Sequence, residues 1–367
     1  MRILLVGGSV RNLLLGEPQT DKDFLVTEAD EEEFQRRFPK AFKVGKAFPV
    51  FWLDGSEYAF PRGGTLKSDL EARDFTVNSL ALDEDGELHC HPLALEDLRH
   101  RVLRPCSPDA LEVDPLRAYR AARFLAVLPG FTPHGELLAA MRRAAEAGLL
   151  ADLAAERVGR EVLKALAGAR PALFFRSLAD TGCLKPWLTE LERCRDVPAG
   201  PRPFHDSDVF AHTLAVLDRL AGAPLPGWMA ICHDLGKALT PPEKWPRHIG
   251  HEALGAPPAR ALGSRLRLPE AFIRAGEIAA LLHMKAARYD ELRPGSRVDL
   301  LEAARDLLEP LLELAKADQG LDFRADALAD RHVIRAVRLP EALRDLGPES
   351  GRRLRELRAQ ALSRRNH

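Results

Sequence analysis

The first 26 residues, MRILLVGGSVRNLLLGEPQTDKDFLV, constrain the fold more than any other stretch of the chain. Ile3 to Val6 predicts a short buried strand that ends at Gly7 and Gly8, and Val10 to Leu15 predicts a helix directly after them. Glycine at the end of a strand lets a phosphate approach the backbone, and a helix N-terminus offers free N–H groups. This stretch therefore predicts a strand–turn–helix unit suited to binding phosphate.

Two carboxylates follow this unit at the start of a second predicted strand. Asp21 and Asp23 are two residues apart and lead into the apolar run Phe24 to Val26. Alternate residues of a strand share a face, so we expect both carboxylates to point at one spot. Adjacent carboxylates repel each other unless a cation neutralises them, and Mg²⁺ prefers oxygen ligands and substrate phosphates. The sequence therefore predicts a Mg²⁺ site here.

The pattern GG-x-V-R-x-x-L-L-G followed by D-x-D resembles the start of the bacterial tRNA nucleotidyltransferase and poly(A) polymerase family. Enzymes of this family add nucleotides to RNA 3′ ends without a nucleic-acid template. The resemblance implies that Asp21 and Asp23 are catalytic and hold Mg²⁺, and that Gly8 and Arg11 lie at the nucleotide. Asn12 stands where the family usually has Asp.

Two further stretches resemble motifs of the same family. In EARDFTVNSLA, Arg73 and Asp74 match the end of an R-R-D motif, with Ala72 in place of the first Arg. The resemblance implies that Arg73 contacts a triphosphate, and we expect Asp74 to hold that Arg or to cap a helix.

In the second stretch, DPLRAYRAARF, the resemblance implies that Asp114 and Arg117 read the base, while Arg120 and Arg123 bind triphosphate. An Asp accepts from an exocyclic amine and an Arg donates to ring acceptors, and both cytosine and adenine carry such an amine.

The second half of the chain contains candidate metal ligands of a different kind. His233 and Asp234 are adjacent within the apolar sequence AICHDLGKAL, and His plus Asp ligands suit a transition metal such as Ni²⁺, Mn²⁺ or Fe²⁺. The pattern H…HD…D resembles the HD superfamily of phosphohydrolases. That resemblance implies four metal ligands: His212, His233, Asp234 and Asp318. It further implies that His248, His251 and His283 bind a second metal or phosphate.

The predicted fold class is α+β with two all-α regions after the sheet. Strand patterns occur at Phe42 to Trp52, Tyr58 to Phe60 and Glu87 to Cys90, and Leu70 to Leu82 predicts a helix. Helical spacing dominates from Asp109 onward. Helices are predicted at Leu111 to Val127, Glu136 to Ala147, Ala155 to Ala167 and Pro171 to Asp180, and in a second helical region from Val209 to about Leu339.

We therefore expect a nucleotidyltransferase palm with a small mixed sheet at 1–105 and a helical neck and body at 106–197. The body would bind nucleotide and tRNA, and Pro198 to Pro203 would be a linker. An HD domain is expected at 204–325 and a helical basic tail at 326–367. In that tail, Gly351 to His367 predicts a loose helix that can contact RNA.

Composition limits the remaining choices. The formal net charge is −1, so any RNA site must come from local clustering of Arg and Lys. The 5 cysteines are scattered without C-x-x-C spacing, which fits a reducing cytosol and indicates neither a disulfide framework nor a Cys-zinc site. No signal peptide and no apolar run of membrane-spanning length are present, so we expect a cytoplasmic protein, monomeric or homodimeric, whose partners are tRNA, CTP and, for A addition, ATP.

Four activities remain open within this family: CC addition, A addition, full CCA addition and poly(A) synthesis. Only the short link GGTLKSDLEA separates the strand Glu57–Arg62 from Arg73, whereas family members that complete CCA usually have a longer flexible loop there. We therefore favour CC addition, with full CCA addition or A addition as the alternative. A hypothesis of another class is an HD phosphohydrolase whose polymerase-like half is inactive and only binds RNA.

Overall fold

The computed structural model describes residues 1–18, 22–45, 50–201 and 207–365. It divides into two compact units, Met1–Leu153 with Asp180–Cys183 and Ala154–Ala179 with Leu184–His367. The finer division into palm, neck and body, HD domain and tail stays a prediction. Within the described ranges, every helix is too short or too polar to cross a membrane.

The first unit is built on a mixed sheet with the strand order β3-β4-β5-β2-β1-β6-β7. Strands β2 and β5 are parallel, and the other neighbours are antiparallel. A separate two-stranded ladder joins β8 to β9. The strands are β1 (Arg2–Val6), β2 (Asp23–Thr27), β3 (Phe42–Val44), β4 (Val50–Leu53), β5 (Ser56–Ala59), β6 (Leu80–Leu82), β7 (Leu88–Cys90), β8 (Val102–Leu103) and β9 (Thr132–Pro133).

The helices account for most of the chain after this sheet, so the predicted α+β class is confirmed. In the first unit they begin with α1 (Gly8–Leu15), α2 (Glu31–Arg37), α3 (Leu66–Glu71), α4 (Ala94–His100), α5 (Ala110–Val113), α6 (Arg117–Val127) and α7 (Gly135–Glu146). The others are α8 (Ala155–Leu166), α9 (Ala172–Asp180), α10 (Thr189–Arg193), α11 (Val209–Asp218), α12 (Pro224–Cys232), α13 (His251–Arg265), α14 (Glu270–Ala287), α15 (Pro294–Ala304), α16 (Leu308–Gln319), α17 (Arg324–Ala336) and α18 (Pro348–Arg365).

The two faces of the sheet bury different side chains. On one face, Leu4, Val6 and Leu25 pack with Leu70 of α3. On the other face, helices α1, α2 and α4 cover the strands through Val10, Phe34 and Ala94. Strands β1 and β2 contribute side chains to the cores on both faces, because successive strand residues point to opposite faces of the sheet.

The helix predicted over Leu70 to Leu82 is wrong. Helix α3 ends at Glu71, a single 3-10 turn spans Thr76–Asn78, and the chain then enters β6 at Leu80. The segment is buried throughout: Thr76, Asn78 and Ser79 are buried along with Val77 and Leu80. Because its polar residues do not mark an exposed face, the pattern could not separate a buried strand from a buried helix.

The single helix predicted over Leu111 to Val127 is two helices. Helix α5 ends at Val113, Asp114 has extended backbone (φ −137°, ψ 95°), and α6 starts at Arg117. Pro115 explains the break, because a proline lacks a backbone N–H and disfavours helical backbone in the residue before it. The break places Asp114 in a bend rather than on a helix face.

Close backbone contacts fix the local geometry of the second unit. A Cβ at Gly236 would lie 1.9 Å from the carbonyl oxygen of His251 and 2.6 Å from the N of Gly255. Because Gly236 leaves no room for a side chain, the 3-10 turn Leu235–Leu239 packs directly on α13. This contact brings the start of α13 next to His233 and Asp234.

Within the basic tail, the described residues of the predicted loose helix belong to a regular helix, α18 (Pro348–Arg365). Helix α18 packs on α15 and α17, and Leu362 is 1% exposed. Arg355 binds both carboxylate oxygens of Asp299 at 2.6 and 2.7 Å, and Arg358 lies 2.9 Å from Glu302. These two arginines are therefore engaged within the fold.

Candidate active site and candidate metal centre

The turn after β1 leaves room for two guanidinium groups. Gly7 has φ 68°, and a Cβ there would lie 2.8 Å from Nη1 of Arg73. A Cβ at Gly8 would lie 3.3 Å from Nη2 of Arg11. The N–H of Gly7 donates to the carbonyl oxygen of Leu80 at 2.9 Å, which ties the turn to β6. The two glycines therefore bring the start of α1 and two arginines together.

Asp23 lies at the exposed start of β2, on the face that also bears Leu25. Its backbone N–H lies 3.5 Å from Oγ of Ser9, and Glu57 lies opposite it on the parallel strand β5. Accessible carboxylate oxygens are the donors that Mg²⁺ takes, so Asp23 fits the predicted metal role. Asp21 lies outside the described residues, and its pairing with Asp23 stays a prediction.

Arg73 and Asp74 do not bind each other, contrary to one of the two roles expected for Asp74. Arg73 donates from Nε and Nη2 to Oδ2 of Asp69 at 3.1 and 2.9 Å. Asp74 instead accepts from Arg120 of α6, from the side-chain amide of Asn78 and from the N–H of Phe75. Arg73 and Arg120 thus have separate carboxylate partners, Asp69 and Asp74.

Asp74 is ionised at neutral pH in the fold. Its side chain is almost fully buried, and burial works against the charge. The Arg120 guanidinium and the hydrogen bonds from Asn78 and Phe75 outweigh burial and hold the pKa of Asp74 below its usual value.

Three arginines surround the ring of Phe124 and form what we call the arginine cluster: Arg11, Arg120 and Arg123. Their guanidinium carbons lie 5.3, 5.8 and 4.0 Å from the ring centre. Burial, followed by the charge of Arg123, lowers the pKa of Arg11 to about 10. Asp74 supplies one negative charge nearby, so a bound polyanion would relieve the remaining repulsion.

The predicted base-reading pair lies at the bend between α5 and α6. Oδ1 of Asp114 accepts from the N–H of Leu116 at 3.3 Å. Arg117 is buried and donates to the carbonyl oxygens of Ala110 and Ala72 at 3.2 and 2.6 Å. Backbone contacts therefore hold the Arg117 side chain in a fixed position.

Sequence reasoning missed two residues that hold the arginines. Asn78 accepts from Arg11 through Oδ1 and donates to Asp74 through Nδ2, and Asp69 holds Arg73. The spacing of Asp69 and Arg73, four residues apart, was a signal for an ion pair on a helix. Asn78 left no signal, because its partners are 67 and 4 residues away in segments of different structure.

Six side chains of the second unit form two adjoining donor groups. The first contains His212, His233 and Asp318, and the second contains Asp234, His251 and His283. Within each group, one candidate donor atom of every residue lies within 4.8 Å of the others. Oδ2 of Asp234 lies 3.1 Å from Nε2 of His233, so Asp234 adjoins both groups. The structure therefore brings together the four residues predicted as HD-site metal ligands, His212, His233, Asp234 and Asp318, with His251 and His283 next to them.

The imidazole orientations favour a cation between these groups. The Nδ1 atoms of His233, His251 and His283 lie 2.7 to 2.9 Å from backbone carbonyl oxygens, so Nδ1 carries the proton in each ring. The Nε2 lone pairs then face inward, and those of His251 and His283 are 3.1 Å apart. Burial lowers the pKa of His251, which favours the neutral, ligating form. Imidazole nitrogens and carboxylates fit a transition metal.

Asp234 is the charged centre of this arrangement. Burial opposes its ionisation, but His233 in its protonated form and the ammonium of Lys237 hold the pKa of Asp234 well below its usual value. Lys237 donates to Asp234 at 2.7 Å and to the carbonyl oxygen of Ala199 at 2.7 Å. Lys237 was missed from sequence, although its position three residues after Asp234 on a helical turn was a signal.

His248 was predicted to bind a second metal or phosphate, but it lies outside both donor groups. Its Nδ1 lies 2.7 Å from the hydroxyl of Thr240, and its Nε2 lies 2.6 Å from the carbonyl oxygen of Pro198. Both ring nitrogens are therefore occupied by hydrogen bonds. Its carbonyl oxygen accepts from Nδ1 of His251, so His248 contributes through its backbone by orienting that ring.

Two family profiles match the chain. The profile "Poly A polymerase head domain" matches residues 3–54, and "Probable RNA and SrmB- binding site of polymerase A" matches residues 130–194. A "Multifunctional CCA protein" of Methylococcus capsulatus is 40% identical over 407 residues, covering 99% of this chain and 95% of the relative. One of Xanthomonas campestris pv. campestris is 41% identical over 328 residues, covering 82% and 79%.

Solved structures share the fold. The Bacillus stearothermophilus CCA-adding enzyme in complex with CTP superposes with a TM-score of 0.70 at 24% identity, covering 97% of this chain and 87% of that chain. The Thermotoga maritima CCA-adding enzyme complexed with tRNA gives a TM-score of 0.64 at 20% identity, covering 98% and 86%.

Proposed function

The chain belongs to the multifunctional CCA protein family of tRNA nucleotidyltransferases, and from this membership we propose that it adds CMP to tRNA 3′ ends from CTP. The observation that most supports this assignment is the arginine cluster, whose Arg11 lies on α1 two residues after Ser9, the neighbour of Asp23. It offers concentrated positive charge for a triphosphate in a chain whose net charge is −1. A catalytic carboxylate and a triphosphate site are both needed for the reaction.

The reaction is an in-line displacement at the α-phosphorus of CTP. The RNA 3′ hydroxyl gives its proton to water and its oxygen forms a bond to that phosphorus. The bond to the bridging oxygen of the β-phosphate breaks, and pyrophosphate leaves with the electron pair. Mg²⁺ held by Asp23 and Asp21 would neutralise phosphate charge and lower the pKa of the attacking hydroxyl. Arg120 and Arg123 hold the triphosphate, and Asp114 with Arg117 orients the base.

The rigidity of the segment after β5 supports a limit at two C residues. Thr65 and Ser68 form a reciprocal capping box at the start of α3, and Oγ of Ser68 also donates to the carbonyl oxygen of Arg62 at 2.7 Å. The N–H of Arg62 donates to Asp69, which in turn holds Arg73. A base-reading site supported by such a fixed link has little freedom to change from cytosine to adenine geometry.

Incubation with three tRNA transcripts tests this proposal, using CTP and ATP separately. The transcripts lack CCA, end in C or end in CC. We expect the enzyme to add C to the transcripts that lack CCA or end in C, and to add no A to the transcript that ends in CC. Efficient ATP incorporation onto the CC end would replace the CC proposal with A addition or with full CCA addition, of which the latter agrees with the name of the relatives, "Multifunctional CCA protein". Absence of any incorporation would favour the inactive-polymerase alternative.

A second candidate function is metal-dependent hydrolysis of phosphate esters by the second unit. The inward-facing Nε2 atoms of His233, His251 and His283, together with Asp234, support it. A bound Ni²⁺, Mn²⁺ or Fe²⁺ would activate water and neutralise phosphate charge. Lys237 keeps Asp234 ionised, and His248 orients His251. Hydrolysis of a 2′,3′-cyclic nucleotide with added Ni²⁺ or Mn²⁺, lost in His233→Ala, tests this function.

A further inference from the structure

The sheet face that bears Asp23 continues into two exposed aromatic rings. Across β2, β5, β4 and β3, the residues in register are Asp23, Glu57, Trp52 and Phe42. Side chains in register lie on the same face of a sheet. Trp52 is 39% exposed and Phe42 is 58% exposed, which is unusual for residues of this size. We call these two residues the aromatic stripe.

The stripe lies beyond the part of the face that the fold covers. Helix α3 packs Leu66 and Leu70 against Leu4, Val6 and Leu25 in the centre of the sheet. Val44, next to Phe42 on the same face of β3, is 53% exposed. The helices α1, α2 and α4 pack on the opposite face. Among the described residues, the stripe is therefore an accessible continuation of the face that holds the candidate catalytic carboxylate.

We propose that the aromatic stripe stacks the unpaired 3′-terminal bases of the RNA acceptor. This inference rests on the proposed nucleotidyl transfer. Adjacent strands are about 4.8 Å apart, so Trp52 lies about 10 Å from Asp23 and Phe42 about 14 Å. The four residues in register run from the carboxylates of Asp23 and Glu57 to the rings of Trp52 and Phe42. An RNA 3′ end can therefore place its 3′ hydroxyl at the carboxylates while its terminal bases stack on the rings.

Stacking suits an enzyme that must accept tRNAs with different sequences at the acceptor end. Every base has a π face, so stacking on an aromatic side chain tolerates any sequence at the acceptor end. The incoming nucleotide has a separate place, because Asp114 and Arg117 are assigned to its base and the arginine cluster to its phosphates. The aromatic stripe is therefore available to the other reactant, the RNA 3′ end.

The size of the patch argues against a second copy of the chain as its occupant. Two aromatic side chains can bury about 300 to 500 Å² together, whereas a stable interface needs about 800 Å² per partner. One or two stacked bases need only a ring-sized surface. The RNA end is therefore the occupant that matches the stripe.

An acceptor-stem minihelix whose unpaired 3′-terminal nucleotide is 2-aminopurine provides a direct test. Wild type and Trp52→Phe should quench its fluorescence on binding, because both keep a ring at this position. Trp52→Ala and Phe42→Ala should lose most of the quench and raise the KM for RNA by about 5- to 20-fold, with the KM for CTP unchanged. Both side chains are exposed, so neither substitution opens a core cavity. Leu95→Ala, at a 49% exposed position of α4 on the other side of the sheet, is the matched control and should change nothing.

Several outcomes would overturn the stripe assignment. One is an unchanged quench and unchanged KM for RNA in both alanine variants, and another is an effect confined to the KM for CTP. A third is a dimer, seen by analytical ultracentrifugation, that dissociates in Trp52→Ala while RNA affinity stays the same. If wild type adds no nucleotide yet Trp52-dependent quenching persists, nucleotidyl transfer fails and stacking stands.

Discussion

Asp74 joins three parts of the first unit at a single side chain. Oδ2 accepts from Nε of Arg120 at 2.8 Å, and Oδ1 accepts from Asn78 and from the N–H of Phe75 at 3.0 and 2.9 Å. Arg120 belongs to the arginine cluster, so the position of one phosphate-binding group depends on this buried carboxylate. The residue acts through Arg120 rather than by touching the substrate.

We predict that Asp74→Asn lowers both stability and affinity for CTP. The amide leaves the partly buried Arg120 charge without its partner, which costs about 2 to 4 kcal/mol of unfolding free energy. The KM for CTP should rise about tenfold, because Arg120 is no longer fixed. Denaturant unfolding and initial-rate kinetics measure the two effects. Glu112→Gln, whose partner Arg143 is exposed and 3.7 Å away, should change stability by less than about 0.5 kcal/mol.

The pH dependence of this stability difference has a definite sign. The pKa of Asp74 is lower in the folded than in the unfolded chain, so its stabilisation is present above the unfolded pKa of about 3.9. That stabilisation is lost as pH falls through the lower, folded pKa. The gap in unfolding free energy between wild type and Asp74→Asn should therefore be constant near neutral pH and shrink below about pH 4. A gap that grows on acidification would contradict the ionised assignment.

At the residue scale, the sequence identified arginines that come together in the fold but not the residues that hold them. Arg120 and Arg123 were assigned to the triphosphate and Arg11 to the nucleotide, and the three guanidinium groups meet around Phe124. The pairing of Asp74 with Arg120 was not foreseen, because the two residues are 46 positions apart. Motif spacing gives residue types and local faces, whereas the partner of a buried charge depends on tertiary packing.

At the element scale, the first strand–turn–helix–strand unit was predictable from its glycine turn and apolar runs. Strands β1 and β2 and helix α1 lie where those patterns placed them. The segment from Leu70 to Leu82 was not predictable, because burial on all sides removes the periodicity that distinguishes a strand from a helix. Pro115 was a signal for the break at Asp114, because a proline disfavours helical backbone in the residue before it. The helical spacing of the apolar residues on both sides concealed that signal.

The segment from Arg62 to Glu71 gives an element-scale prediction about specificity. Hydrogen bonds among Arg62, Thr65, Ser68 and Asp69 hold it in one conformation. Inserting six Gly/Ser residues between Gly64 and Thr65 separates Arg62 from Ser68 and Asp69, and we expect the variant to gain A addition on tRNA ending in CC. Incorporation of CTP should stay within about threefold of wild type, because β5 and α3 themselves are unchanged. Extension of radiolabelled tRNA on denaturing gels measures both.

The same six residues inserted after Gly86 are the control. Gly86 has φ 83° in the turn between β6 and β7, and a Cβ there would meet nothing within 4 Å. Loop extension at such a site costs little stability. That variant should keep the nucleotide specificity of wild type. Equal A addition by both insertion variants, or by neither, would remove the link from the account of specificity.

At the scale of the whole molecule, the two candidate sites lie in different compact units. Asp23 and the arginine cluster belong to Met1–Leu153, and the His and Asp donor groups belong to the second unit. Each unit has its own buried core, with Leu4, Leu25 and Phe34 in the first and Trp228, Ile231 and Leu311 in the second. The chemistry also differs, since accessible carboxylates suit Mg²⁺ and buried imidazoles suit a transition metal.

We therefore predict that the two activities can be removed one at a time in the full-length chain. Asp23→Ala should reduce nucleotide addition by at least about a thousandfold while hydrolysis of a 2′,3′-cyclic nucleotide with Ni²⁺ is retained, because a metal ligand is lost only in the first unit. His233→Ala should do the reverse. His332→Ala is the matched control for the second substitution, since this histidine lies on α17 outside both donor groups. Thermal unfolding of each variant separates loss of a ligand from loss of the fold. Loss of both activities from a variant that unfolds at the wild-type temperature would mean that the units are coupled and that the sites are not independent.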